Sequence, residues 1–285
     1  MPNPSPTLRR RSLSGELFRL RKAKGFTAEQ VDQAHDWTKG KTARMERNEW
    51  VRPDPNDIRM MLDHYGVTDT HRREELLTWA RQGRERGWWQ PYRQMLSPIY
   101  TTYIGLESGA SGLRLFELAV IPGLLQTADY ARSLMQRRPG ALTPDEIDKR
   151  IDIRMERQKI LTGDNPTHLR AVIDEAALRR GAGGTEVMRA QMQHLLEMAD
   201  LPNVEIQVIP FSAGTHAGTQ GPFTILEFAD ATDRPAAYLE NGAGELFLEY
   251  PDVDQYLDTF ERLVAIADSP AHTIRLVEEI SKTLA

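Results

Sequence analysis

Between residues 25 and 66 the chain is punctuated every few positions by residues that stop or start helices, and this constrains its fold more than any other feature. Leu13, Leu17, Leu20 and Lys24 share one helical face, and Gly25 can close that helix. Thr27 with Gln30 has the spacing of a capping box, so a second helix starts at Thr27 and runs to about Ala34. Thr38 can cap a third helix carrying Ala43, Arg44 and Met45. Asp54-Pro55 is an N-cap followed by proline at the first helical position. Ile58, Met61, Leu62 and Tyr65 then form an i, i+3, i+4, i+7 stripe that ends at Gly66. A fifth helix over about Asp69–Arg84 buries Leu76, Leu77 and Trp79. Helices this short stand only when packed together, so residues 13–86 read as an all-α five-helix domain.

Charge divides the chain at about the same place. Residues 1–90 hold 18 Lys and Arg against 13 Asp and Glu, a net of +5, whereas residues 91–285 carry −10. A basic first third on an acidic body implies that only the first third meets a polyanion. Arg9, Arg10 and Arg11 lie in a proline-containing start, residues 1–12, that reads as a flexible basic arm. The chain has no cysteine, which excludes a disulfide scaffold, a zinc finger of cysteine type and a cysteine nucleophile. No apolar stretch approaches a membrane span and no secretory h-region follows the arginines, so the expected location is cytoplasmic and nucleoid-associated, with no membrane partner.

Residues 87–103, GWWQPYRQMLSPIYTTY, form an aromatic-dense junction. It reads equally as a strap between two domains or as the first element of the second core. Residues 104–285 alternate helix and strand signals. Strands are expected at Arg114–Ala119, Leu169–Ile173, Val204–Val208, Phe223–Phe228, Ala236–Leu239 and Leu246–Glu249. Asn241-Gly242-Ala243-Gly244 suits a hairpin connection. Thr143 with Glu146 repeats the capping-box spacing, and Ser269-Pro270 opens a final helix. The expected architecture is an α+β domain with a mostly antiparallel sheet.

Two short helices separated by a tight turn inside a small bundle have the spacing of a helix-turn-helix. The second helix of such a pair enters the major groove and offers its N-terminal residues to base edges. Here Lys39, Gly40 and Arg44 fall on the exposed front. Arg44 has the reach to donate two parallel hydrogen bonds to a guanine. Thr27, Thr38 and Lys41 are placed for phosphates, and Arg47 is a further cation of the same helix that can contact DNA. A solvated basic helix is the plain alternative.

Residues 13–65 resemble the Cro/C1-type (XRE-family) helix-turn-helix. The resemblance rests on L-x-x-L-R-x-x-K-G-F-T at Leu17–Thr27, W-T-K-G-K at Trp37–Lys41 and R-M-E-R-N at Arg44–Asn48. It implies double-stranded DNA binding as a homodimer and an interhelical ion pair between Arg21 and Glu46. The sequence departs from that pattern at Asp32, where a small Ala is usual, and at His35 and Asp36, where Leu-Gly is usual. Thr42 replaces a buried aliphatic, and Asn48 replaces the closing glycine. The first four departures predict weakened helix packing and an acid near the DNA face.

Residues from about Tyr100 to Leu284 resemble the uncharacterised C-terminal domain of a large group of helix-turn-helix regulators from high-GC Gram-positive bacteria. The segments that carry this are Tyr103–Glu107, Val120–Ala131, Arg157–Leu161, Val172–Arg180, Leu201–His216 and Gly221–Phe228. The resemblance implies an antitoxin-like transcription regulator whose second domain takes a signal or a small acidic partner protein encoded nearby. Ser212, His216 and Asp174 or Glu175 are the residue types of a triad, but no G-x-S-x-G elbow accompanies them. No catalytic residue, metal ligand set or cofactor is therefore expected. The glycine-rich stretch Ser212–Gly221 instead reads as a mobile loop over a pocket or partner groove, with His216 and Gln220 as its contact residues. Two other readings stand beside the regulator: a ligand-gated repressor with a small-molecule pocket, and a protein that has lost DNA binding and only sequesters a partner.

Overall fold

The computed structural model describes residues 5–137, 140, 142–230 and 232–284, which form two compact units: a head, residues 5–91 with 230, 232 and 233, and a body, the described residues of 92–229 with 234–284.

The head contains five α-helices: α1 (Pro6–Ala23), α2 (Ala28–Ala34), α3 (Lys41–Glu46), α4 (Pro55–His64) and α5 (Thr70–Gln82). Leu13, Leu17, Val31, Ile58, Met61, Leu62, Tyr65 and Leu76 are fully buried between them. The first four helices close in the same way. In each, a residue with positive φ lets its own amide and the next one turn back onto the last carbonyls. Gly25 and Gly66 fill that position after α1 and α4, whereas Asp36 (φ 52°) and Asn48 (φ 57°) fill it after α2 and α3. After α2 the bonds are Trp37 N–H to the Asp32 carbonyl at 2.8 Å and Asp36 N–H to the Gln33 carbonyl at 3.3 Å. Asp36 thus adopts the backbone conformation for which glycine is the usual residue.

Two expectations for the head are corrected. The basic arm is helical: α1 begins at Pro6, with Ser5 as its N-cap, so only residues 1–4 of the expected arm fall outside the described residues. Arg10 donates to the Gly83 carbonyl at 2.8 Å and Arg9 lies over the Trp79 ring, which ties this first stretch to the end of α5. The third helix is also shorter at its start. Its N-cap is Gly40 at φ 82°, not Thr38.

The body is α+β. Its elements are α6 (Pro98–Glu107), β1 (Gly112–Glu117), α7 (Ala128–Met135), α8 (Pro144–Gln158), β2 (His168–Asp174), α9 (Glu175–Arg179), α10 (Thr185–Ala199), β3 (Val204–Ile209), β4 (Phe223–Glu227), β5 (Ala236–Asn241), β6 (Gly244–Leu248), α11 (Asp254–Ile266) and α12 (Pro270–Thr283). The sheet order is β3-β2-β1-β4-β5-β6, parallel across the first two pairs and antiparallel across the other three. Leu115 of β1 therefore sits opposite Ala171 of β2 on one side and Thr224 of β4 on the other. Alternation along β1 sends Phe116 to the face covered by α11, where it packs with Val172, Ile225 and Phe260. Leu115 and Glu117 point to the opposite face. The aromatic junction divides: Trp89 is buried with the head, while Tyr100 and Tyr103 belong to α6, the first helix of the body.

Candidate nucleic-acid interface

Helices α2 and α3 are short, and what orients α3 comes from outside its own six residues. Gly40 has no side chain to cap the helix, so the first free amides need another acceptor. Asp32, eight residues upstream on α2, supplies it. Its carboxylate accepts from Gly40 N–H at 2.7 Å and from Thr42 N–H at 2.8 Å, and the Thr42 hydroxyl donates to it at 2.6 Å. Both residues are buried. Burial alone would raise the Asp32 pKa, but the Thr42 and Gly40 hydrogen bonds and the charge of Arg44 outweigh it and hold the carboxyl below its usual value. The expectation that Asp32 and Thr42 weaken packing and put acid near the DNA face is thus overturned, because the two departures satisfy each other and the charge is turned into the helix terminus.

The far end of α3 is fixed by a second contact. Arg21 of α1 and Glu46 of α3 form a two-pronged ion pair with both N···O distances 2.6 Å. Their side chains are 6% and 5% exposed, so the pair is a buried one. Arg21 also donates to the Phe26 carbonyl at 2.7 Å. The hydrogen bond that Arg21 donates to Glu46 raises the Arg21 pKa against the opposing effect of burial. Met45 fills the space between these anchors and joins the core.

Most of the expected DNA-contact residues face solvent. Thr27 caps α2 through the complete capping box with Gln30. Thr38, Lys39, Arg44 and Arg47 are exposed, and the Arg44 guanidinium folds back to the Lys39 carbonyl at 3.4 Å. Gly40 matters at this point, since a Cβ there would lie 3.2 Å from that guanidinium. Three of the cations already have carboxylate neighbours: Lys39 with Glu29 at 3.5 Å, Arg47 with Glu49 at 2.7 Å, and Lys41 with Asp57 at 2.8 Å. Lys41 differs from the rest. It is only partly exposed and its ammonium lies 4.0 Å from the centre of the Trp37 ring, so it braces the turn against α4. Sequence reasoning did not identify Trp37 and Asp57 as partners, because both contacts require α4 to be in place.

Residues 100–279 match a domain of unknown function (DUF5753). The chain belongs to that family. Residues 12–76 match a helix-turn-helix domain, which covers α1–α5 as far as Leu76 and suggests DNA binding. No curated protein and no solved structure matches the chain.

Within the DUF5753 body, the segments that carried the sequence resemblance meet in pairs. Arg157 forms a buried two-pronged pair with Glu107, both distances 2.7 Å, and the Tyr103 hydroxyl donates to Glu107 at 2.6 Å. Asn203 donates to the carbonyls of Leu161 and Thr167. Glu175 accepts from Phe211 N–H at 2.7 Å, and His216 Nε2 contacts Asp174 at 3.1 Å. The His216 ring also accepts from Gly218 N–H through Nδ1 at 3.2 Å. With Nδ1 accepting, the Nε2 proton is the one shared with Asp174. Both ring nitrogens are thereby used to hold the loop. The Ser212–Gly221 stretch meets two short 3-10 turns, Phe211–Ala213 and Ala217–Gln220, and these bonds and the close approach of Gly218 to Phe116 tie it to the sheet. His216 points inward and Gln220 outward, so the two expected contact residues are not brought together. Among the described residues no group of three or more His, Cys, Asp or Glu is arranged to hold a metal ion, and no helix is long and apolar enough to cross a membrane.

Proposed function

We propose that the protein is a sequence-specific transcription regulator that binds double-stranded DNA as a homodimer through a Cro/C1-type head, and whose body takes a signal or a small acidic partner in an antitoxin-like arrangement without catalysing a reaction. The observation that carries this reading is the doubly anchored α3, with its start held by Asp32 and its end by Arg21, and with Lys39, Arg44 and Arg47 exposed on and beside it. A recognition helix needs a fixed angle to place base-reading side chains. A six-residue helix reads a half-site, so affinity depends on two heads spaced about 34 Å apart. The engaged ring nitrogens of His216 support a binding body over a catalytic one, since a general base needs one nitrogen free for its nucleophile.

The test is selection of bound duplexes from a random pool by the full chain, followed by anisotropy titrations in increasing salt. A recovered two-fold-symmetric site is the expected result. Arg44→Ala should then cost about 1–3 kcal/mol at one base pair while leaving random DNA alone. Lys39→Ala should weaken all sequences alike and reduce the salt slope by about one unit. Binding that enriches no sequence and shows no salt dependence would overturn the proposal in favour of a partner-sequestering protein.

A further inference from the structure

The body encloses a cavity of about 650 Å³. Its floor is the β1 face that carries Leu115 and Glu117, at the carboxyl end of a parallel strand, where sheets of this kind collect ligands. Tyr103 and Tyr238, stacked with their ring centres 4.1 Å apart, line it, and Glu240 stands at its rim on β5. Two charged side chains reach into it with hydrogen-bonding capacity to spare. Glu117 is half-buried, lines the cavity, and makes no hydrogen bond among the described residues. Among the described residues Arg154 has one neutral partner, the Gln126 side-chain oxygen, and no ion pair. Its neighbour one turn along α8, Arg157, is by contrast fully engaged by Glu107, Tyr100 and Tyr103. A Cβ at Gly123 would lie in van der Waals contact with the Arg154 guanidinium, 3.7 Å away, so the glycine leaves that side of the group bare. Leu124, Leu134 and Phe223 supply an apolar wall.

A guanidinium and a carboxyl that share one pocket without pairing with each other are complementary to a ligand that brings both charges. A simple anion would meet the charge of Glu240 and leave Glu117 without a partner, and a simple cation would meet Arg154. We propose that this cavity binds a small zwitterion with an apolar side chain, an amino acid or dipeptide, with its carboxylate on Arg154 and its ammonium on Glu117. The volume and the mixed lining suit a ligand of that size. The proposal deepens the reading of the body as a signal-taking domain and does not depend on DNA binding by the head.

One consequence is measurable. Without a cation beside it, Glu117 is pushed up to about 8, chiefly by burial, with Arg154 opposing and Glu240 reinforcing. At neutral pH the group is then mostly protonated, and an arriving ammonium expels that proton.

The experiment uses the full chain without DNA. Thermal shift against leucine, methionine, phenylalanine, tryptophan and their dipeptides at millimolar concentration is expected to raise Tm for at least one of them. The binder is then compared by calorimetry with its decarboxylated and deaminated analogues, each of which should bind at least about tenfold more weakly. Calorimetry in two buffers of different ionisation enthalpy should show a proton released near pH 7. Glu117→Gln, which keeps the shape of the pocket, should abolish that release and weaken binding. Arg154→Gln should restore most of the relative affinity for the amine analogue. No stabilisation by any of these probes would overturn the proposal, as would an analogue that binds as tightly as the parent or binding without proton release. DNA binding by the head, measured separately, distinguishes failure here from failure of the regulator reading.

Discussion

Asp32 and Thr42 hold the start of α3 together: one carboxylate takes the Thr42 amide, the Thr42 hydroxyl and the Gly40 amide, all within 2.8 Å. Asp32→Ala leaves two buried donors and the Thr42 hydroxyl without an acceptor, and should destabilise the head by about 2–3 kcal/mol. Thr42→Val alone should cost less, about 1 kcal/mol, since it removes one donor and strands none. The double substitution should fall short of the sum, and a thermal-unfolding cycle on the full chain reads the difference. The same bond set gives a pH dependence. The Asp32 pKa is depressed in the folded state, so its contribution is fully present above the unfolded value near 3.8 and is lost as pH falls through the lower folded value. Head stability should therefore drop below about pH 4, and Asp32→Asn should flatten that part of the profile.

The turn after α2 carries strain that a glycine would relieve. Asp36 sits at φ 52° in a position where glycine has no Cβ penalty. Asp36→Gly should stabilise the head by up to about 1 kcal/mol, the gain being reduced by the greater entropy of the unfolded chain. A fall in the midpoint of chemical denaturation would show that the Asp36 side chain makes a contribution larger than its backbone cost.

Arg21 and Glu46 are buried with two short bonds between them, so removing one partner strands a charge. Glu46→Ala should cost about 3–5 kcal/mol. Replacing both with apolar residues, Arg21→Met with Glu46→Leu, should recover much of that stability. DNA affinity should recover less, because a directional contact no longer sets the angle of α3. Strictly additive losses in the unfolding cycle would mean that the pair contributes no coupling.

Gly218 lies against Phe116 so closely that a Cβ would fall 2.3 Å from the ring. Gly218→Ala must push the loop off the sheet or tilt Phe116 out of a fully buried cluster. A loss of about 1–3 kcal/mol is expected, as for other overpacked sites. Differential scanning calorimetry should show the loss in the melting of the body, while DNA binding by the head stays unchanged.

What the sequence determined by itself was local. Capping boxes at Thr27 and Thr143, proline starts at Asp54-Pro55 and Ser269-Pro270, and the stops at Gly25 and Gly66 each depend on residues within one turn of each other, so their spacing was enough to place the helices. Exposure of Lys39, Arg44 and Arg47 was legible for the same reason. The start of α1 at Pro6 was not, because Arg9 and Arg10 look like a solvated arm until α5 supplies Trp79 and the Gly83 carbonyl. Nor was the fate of the unusual residues. Asp32 and Thr42 each break the expected pattern when read singly, and only the close approach of α2 and α3 turns two departures into one cap. Lys41 became a brace and His216 a loop clamp through Asp57 and Asp174, far away along the chain. Backbone propensity acts over a few residues and leaves a trace in spacing. A buried polar side chain takes whatever partner the packed chain brings within 3 Å, and that choice exists only once the tertiary structure has formed.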